Sequence, residues 1–398
     1  MATAGLCLDL AGIRRVEMRF LIAAQFLPDP NSGSAGSVMA VGQALAARGH
    51  AVEYAWLAPD RGLLPHPALR RHFEVPVQQL RALAARLKAA PYDVVVVSQP
   101  YAYLAYELLP TLYPRTLFLN RTHGWEHRLL RAEQRLGYEP RRPLASRVLS
   151  GASSAMTVMG CWRTARAAHG IIAPSSRGAR FIRETYGLPE DKVAFIGYGL
   201  DADFLAWPWV KPTVRLPRLL FVGNYLARKG TPVLEQVLPR MARRFPELEL
   251  TFVVQEQATQ QVEHLFRPAF GPRLRVHPWM PRPALREIYS AHDVLLFPSF
   301  FEGFGKTWLE GMACGLCVVG FDEGGLGDLA THGREALFCE AGDTAGWERL
   351  LVEALQQPER VAQLRERAQV RARQRTWDET ARDTELFCQR LRGARGWN

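Results

Sequence analysis

No apolar run in this 398-residue chain approaches the ~18–20 residues that a membrane-spanning helix needs, so a helical membrane protein is not expected. Cysteine is scarce, with six scattered at Cys7, Cys161, Cys314, Cys317, Cys339 and Cys388. Cys314-Gly-Leu-Cys317 has metal or redox spacing. No second pair completes a zinc site, and the segment runs on into a strand-like stretch, so core thiols are expected. Met1–Glu17 lacks the early basic cluster and long apolar stretch of a secretory signal, since Arg14-Arg15 follow its apolar part. A flexible N-terminal extension and a cytoplasmic location are the expectations. Zinc-finger spacing, an aromatic RNA-binding signature and an internal repeat of about 20–50 residues are also missing. Nucleic acid is accordingly not expected as a partner.

What the chain has is length and positive charge. The formal net charge is +11, from arginines scattered rather than gathered in one block. That suits anionic partners such as nucleotide diphosphates or an anionic lipid surface. With 48% hydrophobic residues, the chain can fill the cores of two domains of about 100–200 residues each.

Short β-rich runs alternate with helical stretches, the pattern of a parallel sheet. In the first half, strands are expected at 19–24, 51–57, 93–98, 116–120, 170–173 and 193–196. A Pro-, Gly- and Ser-rich loop is expected over 25–37. A helix follows with Val38, Val41 and Leu45 on one face, closed by Arg48-Gly49-His50. Val94–Val97 is an unbroken β-branched run, as expected of a strand buried on both faces. Pro208, Pro212 and Pro217 mark a linker over 208–217. A second series is expected at 218–222, 248–254, 274–277, 294–297, 317–321 and 336–339. Two doubly wound domains would make a cleft between the carboxyl ends of their sheets. Helix N-termini point free N–H groups and positive dipole ends into such a cleft.

The most informative segment is Phe297-Pro-Ser-Phe-Phe-Glu302-Gly-Phe-Gly305-Lys-Thr-Trp-Leu-Glu310-Gly-Met-Ala-Cys-Gly315. Glu302-Gly303-Phe304-Gly305 reads as a tight loop at a strand's carboxyl end, and the next helix carries Glu310. Successive N–H groups around Phe304, Lys306 and Thr307 can face one anion, because the glycines remove side-chain obstruction. Two acceptor-only carboxylates beside an anion-binding turn suit a ligand with hydroxyls on each side of a diphosphate, that is, a nucleotide sugar. Leu219-Leu-Phe-Val-Gly223-Asn-Tyr-Leu-Ala-Arg228-Lys229-Gly230 adds a strand, a glycine turn and two cations. Asn120-Arg-Thr-His123-Gly124-Trp-Glu126 ends an N-terminal strand. Pro28-Asp-Pro-Asn-Ser32-Gly33-Ser34-Ala-Gly36-Ser37 follows the first strand. It lacks Gly-x-Gly-x-x-Gly, which counts against a dinucleotide-dependent dehydrogenase.

These segments resemble glycosyltransferase family 4, retaining enzymes of the GT-B fold. Their signature is Glu, seven residues, Glu, within Pro-Ser-x-x-Glu-Gly-Phe-Gly. The resemblance implies an α/β chain of two Rossmann-like doubly wound domains facing a central cleft. It places an acceptor domain at 18–207 after the extension 1–17, then the linker 208–217 and a nucleotide-sugar donor domain at 218–376. A terminal helix, 377–398, is expected to pack back toward the N domain. The catalytic set is expected to be His123, Lys229 and Glu302. Glu302 would contact the donor sugar hydroxyls, Glu310 the ribose hydroxyls and Lys229 the diphosphate. His123 would bond the transferred sugar or its phosphate. Gly33, Gly223, Arg228, Gly303, Phe304, Gly305, Lys306 and Thr307 would complete the donor site, with Glu126 as an acceptor-side contact or base.

Three positions depart from the family pattern. Asn224 stands where Arg is common, with Arg228 nearby as a substitute. Ser32 replaces one glycine of a Gly-Gly pair. Tyr198 replaces an Asn in Ile196-Gly-Tyr-Gly-Leu-Asp201-Ala-Asp203, whose Asp-x-Asp is expected as a turn without metal. The expected function is a metal-independent, cofactor-free glycosyltransferase of class EC 2.4 with a nucleotide diphosphate sugar as substrate. Its acceptor would be a glycan or lipid-linked molecule, in cell-surface polysaccharide or glycoconjugate synthesis. A non-catalytic, partner-binding relative and a GT-B sugar-nucleotide epimerase stay open as alternatives. Val77–Ala90 puts Leu80, Leu83, Ala84 and Leu87 on one face, with Arg81, Arg86 and Lys88 elsewhere. It reads as a surface helix packed on its own sheet, or as a peripheral contact with an anionic membrane at the inner face. The Arg-rich stretch 128–147 has the same two readings, with an acceptor-side loop as a third.

Overall fold

Twelve short β-rich runs pair as parallel strands in the structure, a computed structural model. It describes residues 17–57, 64, 66–98, 100–136, 144–211 and 214–397. The expected extension up to residue 16, with Cys7, and residues 137–143 of the Arg-rich stretch lie outside the described residues.

The first sheet contains β1 (Arg19–Ala24), β2 (Ala51–Trp56), β3 (Val94–Val97), β4 (Leu117–Arg121), β5 (Gly170–Ala173) and β6 (Val193–Phe195), in the order β2-β1-β3-β4-β5-β6. The second contains β7 (Leu219–Val222), β8 (Leu250–Val254), β9 (Leu274–Pro278), β10 (Val294–Phe297), β11 (Cys317–Phe321) and β12 (Ala336–Cys339). Its order is β12-β11-β10-β7-β8-β9. Helices cover both faces of each sheet, which is why β3, four valines in a row, is buried at every position. Cys314 and Cys317 are fully buried core thiols. This is the GT-B arrangement.

Helix α1 (Gly33–Ala47) starts earlier than expected. The loop ends at Ser32, whose side chain caps the helix by accepting from the Ala35 N–H at 3.4 Å. Residues 33–37, expected as loop, are the first turn. Helix α2 (Val75–Ala89) buries Leu83 and Leu87 in the core of the first sheet, and Leu80 and Ala84 pack against the same core. The face with Leu80, Leu83, Ala84 and Leu87 is therefore turned to its own sheet.

The chain ends by returning to its beginning. Helix α6 (Pro358–Arg373) packs on the second sheet, and α7 (Trp377–Gly393) opens with a capping box between Thr376 and Glu379. Arg48, at the end of α1, bonds Asp378 and Glu385 of α7, each at 3.0 Å. Phe387 and Leu391 of α7 share one core cluster with β1 and β10 residues.

Asp293, at the foot of β10, fixes that strand. It accepts from the Arg218 N–H at 2.9 Å and from Arg365 of α6 at 2.5 Å, with both side chains of the Arg365–Asp293 pair 2% exposed. Asp293→Ala leaves a buried guanidinium without its counter-charge, which should cost about 3–5 kcal/mol. Urea unfolding measures this, and a loss below about 1 kcal/mol, the scale of a surface pair, would contradict it.

Candidate active site

Strands β7 and β10 are neighbours, yet their following helices lie on opposite faces of the sheet. A crevice opens at such a reversal of strand order. Two loops line it, 223–230 after β7 and 298–305 after β10. Gly230 has φ +85°, and a Cβ there would lie 2.0 Å from the Pro298 carbonyl oxygen, so only glycine lets the loops touch. Phe300 N–H also bonds the Arg228 carbonyl at 2.9 Å. These contacts deliver Lys229 to Glu302: Nζ donates to Oε1 at 2.5 Å, and Glu302 is only 6% exposed.

Helix α5 (Lys306–Ala313) begins at the end of the second loop. Gly305 stands at its N-cap with no side chain, so no side-chain cap covers the N–H groups of its first turn, at Lys306 and Thr307. Glu310, one turn along, is buried; it accepts from the Tyr289 hydroxyl at 3.4 Å and lies 4.0 Å from Lys306 Nζ. Burial raises its carboxyl above the ordinary range, with Lys306 opposing.

Three expected donor-site residues are placed differently from a direct side-chain contact. The Lys306 ammonium donates to Asp201 at 2.7 Å, and Asp201 also takes Arg282 and the Trp377 indole N–H, each at 2.6 Å. Burial alone would raise Asp201, but Lys306 and Arg282 bring it below its usual value. Phe304 packs its ring between Tyr198 and Trp308, and its carbonyl accepts from Trp308 Nε1 at 2.7 Å and Gly325 N–H at 2.9 Å. Both residues can then offer a ligand their backbone rather than their side chain. Gly33 lies inside α1 and likewise offers an N–H. Gly223 follows β7, its N–H bonded to the Val253 carbonyl at 3.1 Å. Asn224 is exposed, and Arg228 makes no ion pair among the described residues. Asp203 pairs with Arg286, so the Asp-x-Asp carboxylates are both engaged by cations.

Across the cleft, His123 and Gly124 follow β4. A Cβ on Gly303 would fall 1.6 Å from the His123 carbonyl oxygen, so the two domains meet backbone to backbone. His123, Lys229 and Glu302 thus gather at one place, while Glu310 and Lys306 sit at the other end of the same turn. The His123 imidazole is pushed down to about 3, by burial first and then by Arg121. Its Nδ1 is 2.5 Å from the Tyr198 hydroxyl, and its Nε2 is buried without a partner among the described residues. Glu126 opens α3 (Glu126–Leu136); burial pushes its carboxyl up to about 8, and its Oε2 has no partner among the described residues.

One residue of the cleft was legible only as part of an Arg-rich stretch. Arg128 donates to the Glu302 carbonyl at 3.0 Å, pairs with Glu323, and lies over the Phe301 ring. Helix α4 (Ser176–Tyr186) adds two bridges: Ser176 N–H to Asp328 at 2.9 Å and Arg177 to Asp322 at 2.7 Å.

Two family models match the chain, Glycosyltransferase Family 4 over residues 31–204 and Glycosyl transferases group 1 over 216–357. The chain belongs to glycosyltransferase family 4. It is an enzyme of the glycosyltransferase class. A D-inositol 3-phosphate glycosyltransferase of Thermomonospora curvata is 27% identical over 89% of this chain and 90% of its own length. Other curated relatives match over 60% of their own length. Among solved structures, sucrose-phosphate synthase of Thermosynechococcus elongatus superposes with a TM-score of 0.74 at 18% identity, covering 94% of this chain and all of its own. Anabaena HepE in complex with UDP gives 0.64 at 15%, also over 94% of this chain and all of its own. These two likenesses establish the fold.

A family 4 site with so low a histidine pKa has a clear pH signature. The neutral imidazole persists down to about pH 3, so no acid limb near the ordinary histidine value of about 6.5 should come from His123. Turnover of the wild type and of His123→Gln should run parallel between about pH 5 and 8. A limb near 6.5 present only in the wild type would contradict it.

Proposed function

We propose that this glycosyltransferase moves a sugar, with retention of configuration, from a nucleotide diphosphate sugar to a glycan or lipid-linked acceptor. The observation that carries the reading is the Lys229–Glu302 pair at the strand-order reversal, beside the uncapped start of α5. A diphosphate seated there meets Lys229, Arg228 and the first-turn N–H groups. Sugar hydroxyls meet Glu302 and His123, and ribose hydroxyls meet Glu310. A neighbour solved with UDP and relatives named as glycosyltransferases support this choice of donor. Glu126 is assigned to the acceptor side.

No Asp or Glu of the set is arranged as an obvious glycosyl nucleophile, so the reaction is written as front-face substitution. The bond from the anomeric carbon to the β-phosphate oxygen breaks, and the bond to the acceptor oxygen forms on the same face. The acceptor proton passes to the departing phosphate. Charge builds on that phosphate, and a fixed cation stabilises it more in the transition state than in the ground state. The D-inositol 3-phosphate acceptor in the name of the relatives adds phosphorylated polyols to the acceptors worth testing.

Peripheral contact with an anionic membrane is assigned to a different face from the one the sequence suggested. Leu69, Phe73 and Val77 are exposed at four-residue spacing beside exposed Arg71 on a chain of net charge +11. Co-sedimentation with phosphatidylglycerol vesicles should fall at least threefold in Phe73→Ser; equal binding by the variant would remove this face from the reading.

UDP-, GDP-, ADP- and CMP-sugars, each with chelator, should be screened for thermal stabilisation and slow hydrolysis by the purified protein. One donor should respond, and Glu310→Ala should lose the response. Silence from the whole panel would favour a donor site completed only by a partner or by the acceptor. Lys229→Ala should lower turnover by on the order of 10²–10³. A drop of less than about tenfold would remove Lys229 from the leaving-group role.

A further inference from the structure

Tyr198 stands where the family pattern has Asn, and its hydroxyl lies 2.5 Å from His123 Nδ1. The phenol is 4% exposed and held on several sides. Its ring centroid is 5.1 Å from that of Phe304 and 5.6 Å from that of Trp377, and the Arg121 guanidinium lies over it at 5.9 Å. Its carbonyl accepts from Arg375 at 3.4 Å. The ring therefore cannot swing its hydroxyl to another partner without disturbing the packing between the two domains.

A buried phenol needs an acceptor for its proton. The Ser37 hydroxyl also reaches the phenol; its own proton goes to the helix carbonyls of Gly33 and Ser34, at 2.7 and 2.9 Å, which leaves its oxygen as a weak acceptor. Nδ1 of His123, at 2.5 Å, is the stronger acceptor of the two, because an imidazole nitrogen is more basic than a hydroxyl oxygen. A neutral imidazole has one N–H, so a proton donated to Nδ1 leaves the ring's own proton on Nε2. Nε2 is the atom buried without a partner.

We propose that Tyr198 is a positioning residue that holds His123 as the Nε2–H tautomer, so that the imidazole presents a neutral N–H donor to an oxygen of the bound nucleotide sugar. This rests on the reading of His123 as a donor-site residue. The chemistry recognised is an oxygen lone pair, on a sugar hydroxyl or a phosphate. In the other tautomer a bare nitrogen faces that oxygen: a phosphate oxygen is then repelled, and a hydroxyl has to turn and donate instead of accept.

The test is ¹⁵N NMR of histidine-labelled full-length protein, with His123 assigned by its loss in His123→Ala. The wild type should show protonated Nε2 and bare Nδ1. Tyr198→Phe keeps the ring and removes the hydroxyl; it should show a mixture of tautomers at His123. With the donor from the nucleotide-sugar panel, its turnover should fall on the order of tenfold, the scale of one hydrogen bond, with the donor KM within about twofold. A wild-type His123 protonated on Nδ1 would overturn the proposal, as would Tyr198→Phe spectra that keep the Nε2–H pattern. Full turnover in His123→Ala removes the donor-site reading instead, and the tautomer spectra still decide the role of Tyr198.

Discussion

Strands β7 and β10 lie side by side but hand their chains to opposite faces of the sheet, and everything at the site depends on the gap this leaves. No helix can cover the top of that gap, so the loops themselves must close it. They do so through backbone, with Gly230 against the Pro298 carbonyl and Phe300 bonded to Arg228. Side chains as long as Lys229 and Glu302 would sample many positions on free loops. On loops locked at this distance they have little choice but to meet. The ion pair is thus a consequence of strand order, carried through two backbone contacts.

The same closeness governs electrostatics across the cleft. Glu302, Glu310 and Asp201 are all buried, and each has a cationic neighbour, in Lys229, Lys306 and Lys306 with Arg282 respectively. Burial raises the Glu310 carboxyl against the pull of Lys306, whereas at Asp201 the cations Lys306 and Arg282 outweigh burial and bring it below its usual value. The arrangement also divides the labour between two lysines 77 residues apart in sequence. Lys229 has one ion-pair partner among the described residues and stays part-exposed, which leaves room for a second. Lys306 is held by Asp201 and stiffens the start of α5, whose N–H groups remain open. Arg128, Ser176 and Arg177 then tie the second domain to the first around this centre.

The twelve strands were legible because a parallel strand buried on both faces writes itself as a short apolar run, and Val94–Val97 is the plainest case. The Glu302–Glu310 turn was legible because its function is local: strand, glycine loop and helix follow one another in the chain. What sequence could not show is pairing at a distance. Asp201 and Lys306 are 105 residues apart, Arg128 and Glu323 are 195, and His123 and Tyr198 are 75. No spacing rule reaches that far. The start of α1 was missed for a different reason. Gly-Ser-Ala-Gly-Ser has loop composition, and the Ser32 cap together with packing on the first sheet overrides it.

The three departures from the family pattern are altered details with physical consequences of their own. Ser32 does something a glycine cannot, since its hydroxyl caps α1. Tyr198 fills the junction of Phe304, Trp377 and His123 with a ring and a hydroxyl, where Asn could supply only an amide. Asn224 is exposed, and Arg228 four residues on carries no ion pair among the described residues, leaving a cation at the same loop. Around these positions the fold keeps Glu302 and Glu310 buried and His123 Nε2 without a partner among the described residues. Well-packed apolar residues at such places are often neutral or stabilising relative to buried charge. Buried carboxylates and an unsatisfied imidazole are therefore a burden on folding, of the kind that a bound, hydroxyl-rich ligand would relieve.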